Sequence, residues 1–183
     1  STFVVSMVSL ALLAGFTVVA PYVIPFIGGP LVDDEWPGRA SIAIAASGAF
    51  LVLYLANIHL TFIRGRTWPL AITTPAAAVI ALATLALVSS SVEGDASLVA
   101  FGLTWPLFYA LQAVSSYFLA RQSGFAPAQF DWSFVPLALG LFVCAIGVWA
   151  TPQPLVTIVG AVIAAVISVA VWALRRRRAQ PRQ

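Results

Sequence analysis

Six apolar segments of about 20 residues each dominate the sequence and restrict the folds open to it. They cover residues 2–27, 40–63, 69–90, 97–120, 132–150 and 155–174 approximately. A helix of about 20 apolar residues spans the ~30 Å hydrocarbon core of a bilayer, and none of the six segments contains an acidic residue. Only 8% of residues are charged, against about 25% in soluble domains. The sequence therefore predicts an all-α integral membrane protein, with a compact bundle of six transmembrane helices forming one domain over residues 1–174.

The arginines predict the orientation of this bundle. Arg64 and Arg66 follow the second segment, Arg121 follows the fourth, and a basic tail at residues 175–183 follows the sixth. The loops after the first and third segments hold five acidic residues and only Arg39. Because positive loops stay in the cytoplasm, we expect a multi-pass protein of the cell (inner) membrane with both termini and the basic tail in the cytoplasm. A terminal arginine cluster of this kind anchors lipid headgroups, so we expect a lipid bilayer partner and no nucleic acid.

Small residues at spacings of four predict where helices approach one another closely. Such residues let transmembrane backbones come into contact. They recur in three segments, as Gly160, Ala164 and Ser168, as Ser41, Ala45 and Ala49, and as Ala11 and Gly15. These stripes are either packing seams, including seams for a homo-oligomer or a larger complex, or a chance result of alanine-rich composition. Four tryptophans near predicted helix ends are expected at the membrane interface: Trp36, Trp68, Trp132 and Trp172.

Two amides inside apolar segments indicate a candidate site. Asn57 lies 17 positions after Ala40 and Gln112 lies 15 after Ser97, which at 1.5 Å per residue predicts similar depths, within about 3 Å. Polar side chains share the helix faces of both amides, and polar groups at membrane depth usually face protein or water. The predicted solute-binding residues are Tyr54, Asn57, Trp105, Tyr109, Gln112 and Ser116. The alternative is that the two amides only join the helices through hydrogen bonds. His59 falls about 200° from Asn57 around the helix.

The residue inventory argues against most enzymes and cofactors. One histidine cannot supply both axial ligands of a b-type haem, and no histidine, cysteine and carboxylate set has zinc spacing. A chain without lysine cannot form a retinal Schiff base, and no phosphate-binding glycine loop or nucleophile elbow occurs. We therefore expect no cofactor, no metal and no catalytic residue. The absence of carboxylates within the spans disfavours proton- or sodium-coupled transport.

These observations favour a transport-type membrane protein that binds or passes a small, mostly uncharged solute. The alternative is a non-catalytic structural or accessory subunit of a larger membrane complex, and a membrane enzyme acting on lipid ranks third. In size and predicted topology the chain resembles the substrate-binding subunits of energy-coupling-factor vitamin transporters and the small urea/amide channels. The acidic turn of Glu93 and Asp95 ahead of Trp105 is similar to a feature of that channel family. No motif assigns the chain to either family.

Overall fold

The computed structural model contains six helices and, among the residues that it describes, no strand. Described are residues 2–29, 35–63, 65, 67–94, 96–124, 134–150 and 153–179. The helices are α1 (Thr2–Gly28), α2 (Trp36–Ile63), α3 (Leu70–Ser89), α4 (Ala96–Gln122), α5 (Val135–Ala150) and α6 (Pro154–Ala179). All except α5 are long and apolar enough to cross a membrane, which indicates a membrane protein. At 16 residues, α5 is about 24 Å long.

Three helix bounds differ by three residues or more from those predicted. Helix α2 begins at Trp36, four residues before the predicted start, and α6 continues to Ala179 instead of ending before the basic tail. The fifth helix begins at Val135, whereas the predicted segment began at Trp132, which lies outside the described residues. Parts of the charged connections also lie outside them: Asp33, Asp34 and Asp95 of the acidic loops, Arg64 and Arg66 after the second segment, and residues 180–183 of the basic tail.

The helices pack in an order that differs from their order along the chain. The largest interface joins α2 and α4, and α3 packs mainly against α4. Helices α1, α2 and α5 contact one another, and α6 packs on α5 and α1. Their shared core contains Leu13, Ile42, Ala49, Leu137 and Cys144. Helices α3 and α6 thus lie at opposite edges of the bundle, with α2 near its middle.

Glycines mark the closest approaches between helices. A Cβ atom added to Gly102 of α4 would lie 2.7 Å from the carbonyl oxygen of Ala40 and 3.1 Å from the Cβ of Ala43 on α2. A Cβ atom on Gly147 of α5 would clash with Cγ2 of Thr17 on α1. Since no larger residue fits these gaps without a shift, the glycines determine how closely the two pairs of helices pack.

The small-residue stripes have different outcomes. On α6, Ala164 and Ser168 are buried, and a Cβ on Gly160 would meet Ile146 of α5 at 3.2 Å, which confirms that seam. On α2, Ala49 is fully buried in the core and Ala45 packs against it.

The predicted seam on α1 is wrong within this chain. Ala11 and Gly15 are exposed, and a Cβ on Gly15 would have no neighbour within 4 Å. The buried face of α1 instead carries Leu10, Leu13 and Thr17, because the larger apolar side chains on that face fill the contact with α5.

The start of α2 carries a small charged cluster next to one of the expected interface tryptophans. Arg39 donates to a carboxylate oxygen of Glu35 at 2.7 Å, and its guanidinium carbon lies 4.9 Å from the ring centre of Trp36. Trp68 and Trp172 are both exposed near helix ends. The charged cluster sits at the end of the helix, where its charges can remain in contact with water.

Candidate functional site

A groove of about 410 Å³ lies between α2 and α4. Its lining consists of Phe50, Leu53, Asn57, Ala110, Ala113, Val114, Tyr117 and Phe118. The volume falls within the roughly 300–1,000 Å³ typical of small-molecule sites, which are mostly apolar with a few polar groups. Val114 and Phe118 are exposed at the edge of the groove, so the groove opens towards the outside of the bundle.

Asn57 provides the amide in the lining of this groove. Its side chain is only 4% exposed, and Nδ2 donates to the carbonyl oxygen of Leu53 at 3.2 Å. One turn further along α2, Thr61 is also buried, and its Oγ1 has no hydrogen-bond partner among the described residues. The polar face of α2 predicted from the sequence therefore lies inside the bundle for these two residues.

The packing register shows which residues of α4 are level with Asn57. Gly102 is 62 positions after Ala40 and 59 after Ala43, the two residues that it packs against. The same offset sets Asn57 level with residues 116–119 and Gln112 level with residues 50–53. The groove lining agrees, since Asn57 lines it together with Tyr117 and Phe118.

The two amides are therefore about 6–10 Å apart along the helix axes, at 1.5 Å per residue. The predicted agreement in depth was wrong because it counted from Ala40 and Ser97. Helix α2 begins at Trp36 and α4 at Ala96, so the amides lie 21 and 16 positions into their helices.

The structure separates the six predicted site residues into two groups. Asn57 lines the groove, and Ser116 is fully buried at the same level, with its hydroxyl donating to the carbonyl oxygen of Ala113 at 2.9 Å. Tyr54 and Tyr109 are half-buried on the faces where α2 and α4 meet. Ser116 and Asn57 are thus the two predicted residues that the packing register brings together.

Trp105 and Gln112 lie on the side of α4 away from the Asn57 groove. Trp105 is 44% exposed and lines a separate groove of about 280 Å³ between α3 and α4. At 100° per residue, Gln112 lies about 140° from Tyr117 around α4, so Gln112 and the Asn57 groove are on different sides of that helix. Gln112 is buried, with 2% of its surface exposed.

The sequence prediction omitted most of the groove lining. Phe50, Leu53 and Asn57 follow the spacing i, i+3, i+7 on α2, and Ala110, Ala113 and Tyr117 follow it on α4. The stripe on α4 contains no amide, so the spacing of polar residues does not single it out. Tyr117 is the residue of this stripe that the sequence could have indicated, because its phenol directly follows the predicted site residue Ser116.

His59 faces away from this groove, as its helical angle predicted. It is exposed, and Nδ1 lies 2.9 Å from the carbonyl oxygen of Leu55. A carbonyl oxygen can only accept, so this bond requires the proton on Nδ1. Among the described residues, histidine, cysteine and acidic side chains form no group of three that could hold a metal ion.

Comparisons of the chain with models of protein families, with characterised proteins and with solved structures find no match.

Proposed function

We propose that this chain is a six-span protein of the cell (inner) membrane that binds or passes a small, mostly uncharged solute in the groove between α2 and α4. The observation that carries the proposal is the groove itself, about 410 Å³ in volume and lined by apolar side chains around Asn57 and Tyr117. An amide and a phenol both donate and accept hydrogen bonds without carrying a formal charge. Such a lining suits a solute with one or two polar groups and no net charge.

The same composition disfavours an ion as the solute. Burying an unpaired charge among apolar groups is far more costly than burying a hydrogen-bonded neutral group. The described lining of the groove includes no charged side chain. An uncharged solute therefore fits this lining better than an ion does.

The proposed orientation places both termini in the cytoplasm. Its support is the alternation of arginine-bearing and acidic connections in the sequence. Tagging each terminus and testing its access to a membrane-impermeant reagent in intact cells checks the orientation.

Uptake into proteoliposomes tests the proposed function. The probes are urea, acetamide and glycerol, which are small, uncharged and hydrogen-bonding. We expect faster uptake of at least one probe than in protein-free vesicles, and loss of that gain in Asn57→Leu. Ala83→Leu is the matched control, because Ala83 is exposed on α3, away from the groove. No gain with any probe, or an Asn57→Leu variant as active as the parent, would refute the proposal.

A second candidate, an accessory subunit of a larger membrane complex, is favoured by the exposed small residues of α1. Ala11 and Gly15 form an outward-facing stripe with no neighbour near Gly15. Small residues of this spacing are typical of helix-to-helix contacts in membranes. Extraction in a mild detergent followed by native mass spectrometry distinguishes the candidates, since a subunit is recovered in a stoichiometric assembly that Gly15→Ile disrupts.

A further inference from the structure

The groove between α2 and α4 is open on one side. Val114 and Phe118 form this open edge and are 55% and 53% exposed. Both lie within α4, a helix that is long and apolar enough to cross a membrane. In a bilayer an apolar edge at this position meets lipid hydrocarbon, because the bilayer core contains no water. The open side of the groove is therefore a surface for acyl chains.

Arg121 continues the same edge at the end of α4. It follows Phe118 by three positions, Tyr117 by four and Val114 by seven, and residues at these spacings share one face of a helix. The Arg121 side chain is exposed, and no ion pair to it occurs among the described residues. A positive charge without a protein partner thus lies directly beyond the apolar edge of the groove.

The length of this edge matches one leaflet of a bilayer. Ala110, the first α4 residue in the groove lining, lies 11 positions before Arg121, which is about 17 Å along the helix at 1.5 Å per residue. Half of the ~30 Å hydrocarbon core is about 15 Å. An acyl chain whose headgroup lies at Arg121 therefore runs beside the whole length of the groove.

We propose that an anionic phospholipid binds at this edge, with its phosphate on Arg121 and one acyl chain along Val114 and Phe118. The arginine side chain can bind two phosphate oxygens at once through parallel N–H groups. A zwitterionic headgroup carries a cation beside the phosphate, and α4 contains no acidic residue that could pair with it. A headgroup with net negative charge is therefore the better ligand for Arg121.

The bound acyl chain covers the open side of the groove. Asn57 and Ala113 are buried in the inner part of the lining, and a chain along Val114 and Phe118 separates them from the surrounding lipid. This covering role rests on the proposed function, because the groove needs an outer wall only when it holds a solute. The lipid site itself rests on the apolar edge and on Arg121.

Paramagnetic broadening of valine methyl signals tests the lipid site. The protein carries ¹³C-methyl valine in phosphatidylcholine nanodiscs with a small fraction of phosphatidylglycerol that bears a nitroxide midway along one acyl chain. A parallel sample contains nitroxide-labelled phosphatidylcholine instead, and the Val114 signal is assigned by its loss in Val114→Leu. We expect labelled phosphatidylglycerol to broaden Val114 roughly fivefold more than labelled phosphatidylcholine does, the preference expected of one arginine at the membrane surface.

Arg121→Gln should bring the ratio of the two broadenings at Val114 close to one. Val8 on α1 is the matched reporter, because it is 53% exposed and lies at a similar depth. The packing registers of α2 on α1 and on α4 set both valines beside residues 51–55 of α2. The ratio at Val8 should be the same in the parent protein and in Arg121→Gln, which separates a local site from a general change in lipid composition.

Arg39→Gln is the charge-matched control, because it also removes one arginine but at the start of α2, where Arg39 pairs with Glu35. It should leave the ratio at Val114 unchanged. Equal broadening of Val114 by the two lipids in the parent protein, or an undiminished excess in Arg121→Gln, would overturn the proposal.

The nanodisc samples contain no solute, so their outcome is independent of uptake into proteoliposomes. Uptake of a probe without excess broadening at Val114 refutes the lipid site and leaves the solute function standing. Excess broadening without uptake of any probe refutes the solute function and leaves the lipid site standing.

Discussion

Replacement of Gly102 by alanine should disturb the largest interface of the protein. The new Cβ would lie 2.7 Å from the carbonyl oxygen of Ala40 and 3.1 Å from the Cβ of Ala43. The nearer obstacle is a backbone atom of a helix, which cannot rotate away as a side chain could. Helices α2 and α4 must therefore separate locally to admit a single methyl group.

The cost follows from the size of that separation. Non-bonded carbon contacts are optimal near 3.5–4.0 Å, so the backbones must move apart by roughly 0.7 Å or more, and gaps of 0.5–1 Å forfeit a quarter to a half of the contact energy. Overpacking of this kind typically costs about 1–3 kcal/mol. Alanine also favours the helix over glycine by roughly 0.5–1 kcal/mol, which offsets part of the loss.

Gly15→Ala is the control that isolates the clash. Gly15 lies within α1 and has open space where the Cβ would stand, so this variant gains the helix preference without overpacking. The two variants should differ in free energy of unfolding by about 1–3 kcal/mol, measured by reversible unfolding in mixed micelles with circular dichroism. If Gly102→Ala proves as stable as Gly15→Ala, the close approach of α2 and α4 at this point is incorrect.

Three further outcomes are expected from the same unfolding assay. Gly147→Ala should cost about 1–3 kcal/mol because its Cβ would meet Cγ2 of Thr17; the cost should shrink in a Thr17→Ser background, and equal costs in the two backgrounds would contradict the contact. Ser168→Leu should cost a similar amount because the site is fully buried, whereas Ser168→Ala should stay within about 1 kcal/mol; equal losses would argue against tight packing there. Glu35→Gln should cost at most about 0.5 kcal/mol, and the loss should vanish at 1 M salt, since the ion pair with Arg39 is partly exposed; a loss that persists in salt would contradict this origin.

The helices could be predicted from sequence because hydropathy and length dominate their formation. A long run of apolar residues can satisfy its backbone in lipid only as a helix or a closed barrel, and the runs around Thr2 and Leu155 left little ambiguity. The helix ends were harder. Trp36, Pro37, Gly38 and Arg39 look like a loop by composition but belong to α2, because a helix can extend beyond the apolar region when its side chains reach water.

The candidate site was less predictable because small errors in helix bounds shift every depth that is counted from them. An extension of four residues at the start of α2 was enough to remove Gln112 from the level of Asn57. The sequence also could not predict which helix packs near Trp105. Periodicity assigns a residue to a face of its helix but does not say which helix that face meets. Two alanines on α3, Ala77 and Ala81, were the sequence feature that could have indicated close packing of α3 on α4.

The pairing of α2 with α4 also affects the order in which the helices can assemble. A chain that enters the bilayer from its N-terminus delivers α2 well before α4, and α3 arrives between them without its own main contact. During that interval the side of α2 that carries Asn57 lacks the helix that covers it. The bond of Asn57 to the Leu53 carbonyl oxygen lies within the same helix and forms without any partner, so it already satisfies part of the amide. Arrival of α4 is then the step that encloses Asn57, gives α3 a neighbour and forms the groove.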